Sequence, residues 1–155
     1  MIDYIKRMRA KIGHETLYVT GCGIIIYEKD NVLLQLRKDI HQWCIPGGLM
    51  ELGETFYDCA TREVFEETGI IVKSAELYGI YSGKDFNTEY PNGDKIYSTN
   101  IVFMSDDFNG NINSDSQETI THKWFDRTHL PENIVPLQKH WIVNWANGVK
   151  PVMVM

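Results

Sequence analysis

The chain has 155 residues, of which 43% are hydrophobic, 12% aromatic and 23% charged, a composition that excludes disordered and fibrous classes and predicts one domain, 1–155, with a real core. A net charge of −6 and a sequence pI of about 5.3 argue against general attraction to nucleic acid phosphates or anionic membranes, so neither is expected as a partner. Cys22, Cys44 and Cys59 are odd in number, form no CxxC and read as buried thiols; with no signal-peptide core and no apolar run long enough to cross a bilayer, the expected compartment is the cytoplasm.

In chain order, IDYIKRMRAKI (2–12) spaces Ile2, Ile5, Met8 and Ile12 as on a helix, with Lys6, Arg7, Arg9 and Lys11 between them. This predicts a short basic amphipathic helix, packed on its own domain or on a sister subunit in a homodimer. TLYVTGCGIIIYE (16–28) and VLLQLRK (32–38) are strand-like runs around Lys29-Asp30-Asn31, a hairpin pattern. A glycine-rich loop then leads to a helix over about 55–68, capped by Thr55 with Asp58 at the capping-box position, carrying an apolar stripe of Phe56, Cys59, Ala60 and Val64, and ended by Gly69. IIVKSAELYGIYSG (70–83) returns to strand, YPNGD (90–94) is a turn, and strands follow near 95–105 and 121–126, with a turn at FNGN (108–111). Pro136 opens a last helix, to about 147, with Leu137, Trp141 and Trp145 on one face. Strands before, around and after a central helix predict an α/β fold, a mixed β-sheet sandwiched by helices.

The central helix ends on an electrostatic conflict. In REVFEETG (62–69), Glu63, Glu66 and Glu67 stand three and four residues apart, and each like-charge pair at that spacing costs a few tenths of a kcal/mol. Glu66 and Glu67 also occupy the last turn, where the carbonyl ends are already negative. At about 100° per residue, Glu63 and Glu67 continue the line of Phe56 and Ala60 toward the body of the protein. Either this is a solvated acidic face, or a cation sits among the carboxylates.

The wider stretch GLMELGETFYDCATREVFEETGI, Gly48 to Ile70, fits the pattern Gly, five residues, Glu, seven residues, Arg-Glu-apolar-any-Glu-Glu-any-Gly-apolar at every fixed position. It resembles the signature of the Nudix hydrolases, and WCIPGG upstream and HKWFD downstream resemble the family's flanks, so the likeness covers roughly residues 18–130. The resemblance implies a Nudix-type α/β/α sandwich and metal-dependent hydrolysis of a pyrophosphate bond in a nucleoside diphosphate linked to another moiety. Breaking a phosphoanhydride requires neutralising phosphate oxygens and making a nucleophile from water, work suited to Mg²⁺, or Mn²⁺, held by carboxylates. Carried over from the resemblance, Glu66 and Glu67 are the principal metal ligands, Glu63 is a further ligand or the base, the Gly47 carbonyl also coordinates, and Arg62 pairs with Glu54 to orient the cluster.

Family members often recruit one more carboxylate shortly before the last strand; Glu118 fits that place, with Asp115 as its competitor and a solvated loop as the alternative. Arg37 is a candidate phosphate contact against the alternative of a surface ion pair. Tyr90, Asn92 and Asp94 are placed to read the non-phosphate part of a substrate, or else form a plain turn. Trp43 reads as a packing residue against the alternative of stacking on a base, and the histidines, lacking metal spacing, as surface residues. Gly83 to Thr88 contains no proline, which weakens an ADP-ribose assignment. Two rivals stand beside hydrolysis: a nucleotide-sensing module that keeps the fold without catalysis, and isomerisation of a prenyl diphosphate, which needs a Cys and a Glu facing the reacting carbon, with Cys44 and Cys59 available.

Overall fold

The computed structural model describes residues 4–113, 117–150 and 152–154. Its elements in order are α1 (Tyr4–Ile12), β1 (Leu17–Glu28), β2 (Asn31–Arg37), β3 (Trp43–Cys44), β4 (Gly47–Leu49), α2 (Phe56–Thr68), β5 (Ile71–Tyr81), β6 (Asn87–Glu89), β7 (Lys95–Asn109), β8 (Thr119–Asp126), α3 (Pro136–Ala146) and β9 (Met153–Val154). Ile2 of the expected first helix and Asp115 lie outside the described residues.

The sheet is mixed, as the sequence predicted. β1 runs parallel to β7 from Leu17 opposite Ile96 to Ile26 opposite Ser105. β7 pairs antiparallel with β5 and, near its start, with β6. β1 also pairs antiparallel with β4 and, through the Tyr27/Val32 hairpin, with β2, which in turn carries β3 and β8. Lys29 takes a left-handed φ of 54° in that hairpin turn. β1 is central because Gly21 to Ile26 are apolar or small and buried on both faces.

Alternation along β1 divides the interior between two layers. Cys22, Ile24 and Ile26 point with Ile101 toward Cys59, Ala60 and Val64 of α2. Ile25 points with Val102 toward Trp141, Ile142 and Trp145 of α3. Farther along that second face, Leu17, Val19 and Ile96 are covered by Ile5, Met8 and Ile12 of α1. So α2 lies on one side of the sheet, and α1 and α3 share the other.

α2 is built as its sequence dictates. The Thr55 side chain accepts from the Asp58 amide, the Asp58 carboxylate accepts from the Thr55 amide, and Gly69 closes the helix at φ 75° with its amide on the Phe65 carbonyl. One expectation fails: Phe56 is 47% exposed, because the first turn overhangs the sheet and burial begins at Cys59. Short β4 and β9 had no alternating pattern to announce them; they exist by pairing with β1 and β5. Among the described residues, no helix is long and apolar enough to cross a membrane.

Candidate active site

Docking of α2 against β1 and β4 brings its second half beside the Gly47–Gly48 backbone. Glu67 Oε2 accepts a 2.8 Å hydrogen bond from the Gly47 amide. Burial, reinforced by the nearby charges of Glu63 and Glu118, pushes the Glu67 carboxyl up to about 8. Burial also raises Glu63, with Glu66 and Glu118 adding to it and Arg62 opposing. The carboxylate of Glu63 lies over Gly48 so closely that a Cβ there would sit 2.5 Å from its Oε1. A Cβ on Gly47 would sit 2.5 Å from the Cys22 carbonyl oxygen. Both glycines are therefore matters of space.

Arg62 gathers the remaining charge. Its Nε donates to Glu54 Oε1 at 2.5 Å and its Nη2 to Glu54 Oε2 at 3.1 Å, while its Nη1 reaches Glu63 Oε1 at 2.8 Å and Glu66 Oε2 at 3.2 Å. This pairing holds the Glu54 carboxyl below the usual carboxylate range, and Glu54 also accepts from the Glu51 amide at 2.9 Å. The like charges found in the sequence are thus tied to one guanidinium and one backbone amide. Among the described residues, no three Asp, Glu, His or Cys side chains converge at coordination distance. The carboxylates are neighbours that a change of side-chain torsion would have to aim at one point.

As a donor set they fit a hard divalent cation. The groups gathered here are carboxylate and carbonyl oxygens of Glu63, Glu66, Glu67, Glu118 and Gly47, the oxygen chemistry that Mg²⁺ and Mn²⁺ prefer. Burying Glu67 and Glu63 beside other carboxylates raises both pKa values, a penalty that a cation would relieve.

A cavity of about 960 Å³ starts at these carboxylates, with Glu118 on its wall, and passes Gly47 to the opposite face of the sheet. There its floor is one side of β1 and β7: Gly21 lies beside Asn100, Gly23 beside Val102, and Ser98 and Ile96 continue the row. Gln138 and Trp141 of α3 form one wall. Gln138 Oε1 accepts from the Ile45 amide at 2.9 Å, which leaves its NH₂ to donate elsewhere. The Trp141 Nε1 is buried with no hydrogen-bond partner. Asn100 Nδ2 donates to Ser98 Oγ at 3.0 Å, leaving Asn100 Oδ1 as an acceptor over Gly21.

The sequence did not point to Ser98, Asn100 or Gln138, and it offered Trp141 only as part of the apolar face of the last helix. The available signal was TGCG: two glycines inside a strand mark a place where something approaches the backbone closely. Of the residues it did single out, Arg37 lines the cavity, but its fork is held by Asp39 at 3.0 and 2.6 Å. Tyr90 also lines the cavity. Asp94 does not stand among the lining residues; its carboxylate is engaged by His14 at 2.8 Å, Asn92 at 2.9 Å and Arg9 at 3.6 Å. Trp43 packs edge-on against Phe125. His122 is not the surface residue expected: it sits half-buried on β8 opposite Gln35, where burial disfavours its charged form. Cys44 lines the cavity near Glu67, but burial pushes its thiol up to about 12, so it stays protonated.

Comparison with known proteins agrees with this architecture. The sequence matches the NUDIX domain over residues 17–145. It is 31% identical over 139 residues to a putative 8-oxo-dGTP diphosphatase of Bacillus subtilis, covering 89% of this chain and 87% of that protein. It is 34% identical over 143 residues to an ADP-ribose pyrophosphatase of Methanocaldococcus jannaschii, covering 87% of this chain and 77% of the other. The fold superimposes on the crystal structure of a MutT NUDIX hydrolase from Burkholderia pseudomallei with a TM-score of 0.71 at 24% identity, covering 82% of this chain and 97% of that one.

Proposed function

Because this chain belongs to the NUDIX family of pyrophosphohydrolases, we propose that it hydrolyses a phosphoanhydride bond in a nucleoside diphosphate linked to another moiety, with Mg²⁺ or Mn²⁺ as cofactor. The observation that carries this reading is the cavity's two-ended character: clustered, partly buried carboxylates at one end, and a groove with unspent hydrogen-bonding groups at the other.

In this proposal Glu66, Glu67, Glu63 and the Gly47 carbonyl hold the cation, and Glu118 adds a further carboxylate. The bound ion supplies neutralisation of phosphate oxygens and a lowered pKa for water. Arg62 fixes the directions of Glu63 and Glu66 while Glu54 anchors Arg62 from behind. A carboxylate of this set, Glu63 being best placed against Gly48, takes the proton from the attacking water. The nucleoside lies in the groove, where Asn100 Oδ1 accepts and the Gln138 NH₂ and Trp141 Nε1 donate. Arg37 reaches a phosphate only by giving up Asp39, and Tyr90 lies against the non-phosphate part. Asp94 acts behind the groove, holding its turn.

The substrate named for the Methanocaldococcus relative, ADP-ribose, belongs in the test even though residues 83–88 contain no proline. The test is a substrate panel of ADP-ribose, 8-oxo-dGTP, dGTP and a nucleotide sugar with Mg²⁺, run on wild type and Glu67→Gln. Hydrolysis by wild type and loss by at least 100-fold in Glu67→Gln is expected. Tight nucleotide binding with no turnover by wild type would give the protein to the sensing alternative.

A further inference from the structure

α1 lies before the matched family region, which begins at residue 17, and none of its residues is fully buried. Its attachment is polar and specific. The Arg9 fork donates to the Gly13 and Glu15 carbonyls at 3.1 and 2.6 Å and to the Lys95 carbonyl at the start of β7 at 2.6 Å. Its Nε stands 3.6 Å from Asp94, which His14 also holds. Asp94 closes the turn by accepting the Tyr90 amide on its own carbonyl at 2.8 Å. Helix and turn are therefore one unit, clasped through Arg9 and Asp94.

That unit reaches the cavity. Ile5 of α1 and Tyr90 and Pro91 of the turn line its end, over Ile96, with Ser98 and Asn100 of the floor beside them. α1 and α3 are on the same side of the sheet, so Ile5 and the turn form a second wall across the groove from Gln138 and Trp141.

We infer that α1 is part of the substrate site: Ile5 closes the nucleoside end of the cavity, and Arg9 is a positioning residue that holds helix and Tyr90 turn in place. This rests on the proposal above that the groove takes the nucleoside. An apolar wall facing a polar one suits a flat heterocycle or a ribose, which offers faces to Ile5 and edges to Asn100 and Gln138. A bare diphosphate does not extend that far and is indifferent to α1.

The experiment compares ADP with inorganic pyrophosphate on the full-length protein, by calorimetry in Mg²⁺, for wild type, Ile5→Ala, Ile5→Trp and Arg9→Ala. Ile5→Trp is included because Ile5 is only partly buried and the larger side chain fills the groove without emptying a core. ADP binding should weaken about 5- to 10-fold in Ile5→Ala and Arg9→Ala and further in Ile5→Trp, while pyrophosphate binding changes less than about twofold. Equal losses for the two ligands would assign α1 a structural role only, and wild-type ADP affinity in all three variants would remove it from the site; either overturns the inference. A wild type that binds neither ligand overturns the reading beneath it as well.

Discussion

Glu67 and Gly47 are joined by a 2.8 Å hydrogen bond in which the half-buried carboxylate accepts from the backbone amide of β4. That bond favours the ionised form, yet burial overrides it, and the carboxyl rises to about 8. Its pKa in the unfolded chain is about 4.5. The folded state therefore holds an extra proton between those values. The resulting stability is fully present below the unfolded pKa and is lost as pH rises through about 8.

With divalent cations removed by EDTA, the wild-type Tm should fall by about 5 °C or more between pH 5.5 and 8.5, and Glu67→Gln should fall markedly less. Mg²⁺ or Mn²⁺ should restore the wild type at the alkaline end, because a bound cation takes the place of the proton. Parallel pH profiles for the two proteins would contradict the raised pKa of Glu67.

The two loop glycines should fail differently. At Gly47 a Cβ meets Cys22 O at 2.5 Å and Gly23 Cα at 2.6 Å, both backbone atoms of β1, so β4 would have to leave its partner. At Gly48 the three atoms nearest it are all of the Glu63 carboxylate, the end of a flexible side chain. Gly47→Ala should cost about 2 kcal/mol or more in urea unfolding. Gly48→Ala should cost less than about 1 kcal/mol but reduce hydrolysis at least tenfold by displacing Glu63. Similar stability losses in both would show that the Glu63 contact is not the one that matters.

How much could be read in advance depended on the range of the interaction. α2 was legible from Thr55 to Gly69 because the capping box, the stripe and the C-cap are each settled by residues no more than four positions apart. The mixed sheet followed from strand-like runs placed before, around and after a central helix; that Gly23 to Ile26 are buried on both faces is visible only in the structure. The groove was not legible, because Asn100, Gln138 and Trp141 meet only through the Gly21/Asn100 register and the return of α3 across the sheet. Asp94 looked available in the sequence because its partners Arg9 and His14 lie some eighty residues away. Arg37, by contrast, had its competitor two residues on, in Asp39.

Arg62 holds three carboxylates through a planar fork, and that geometry is not transferable to an ammonium. Arg62→Lys should keep the charge but lose the simultaneous reach to Glu54, Glu63 and Glu66. A fall in kcat of about 10- to 100-fold is expected, with unchanged circular dichroism. Glu54→Gln should reproduce a loss of the same order, since it releases Arg62 from behind. Full activity in either would show that the carboxylates orient themselves without the clasp.

Glu118 acts on the cluster from a different element. Its backbone carbonyl accepts from the Lys38 amide at 2.9 Å, which fixes the segment entering β8 beside the end of β2, and its charge raises both Glu63 and Glu67. Two consequences have opposite signs. Removing that charge with Glu118→Gln should lower the pKa of Glu67 in the cation-free protein, so the alkaline loss of Tm begins at lower pH and is smaller. The same variant should weaken Mn²⁺ binding about tenfold, because one anionic oxygen is withdrawn from the ion's surroundings. An easier ionisation of Glu67 would by itself strengthen metal binding at neutral pH, so observing both effects together separates direct participation of Glu118 from mere electrostatic background. A lowered pKa accompanied by tighter Mn²⁺ binding would place Glu118 outside the set that holds the cation.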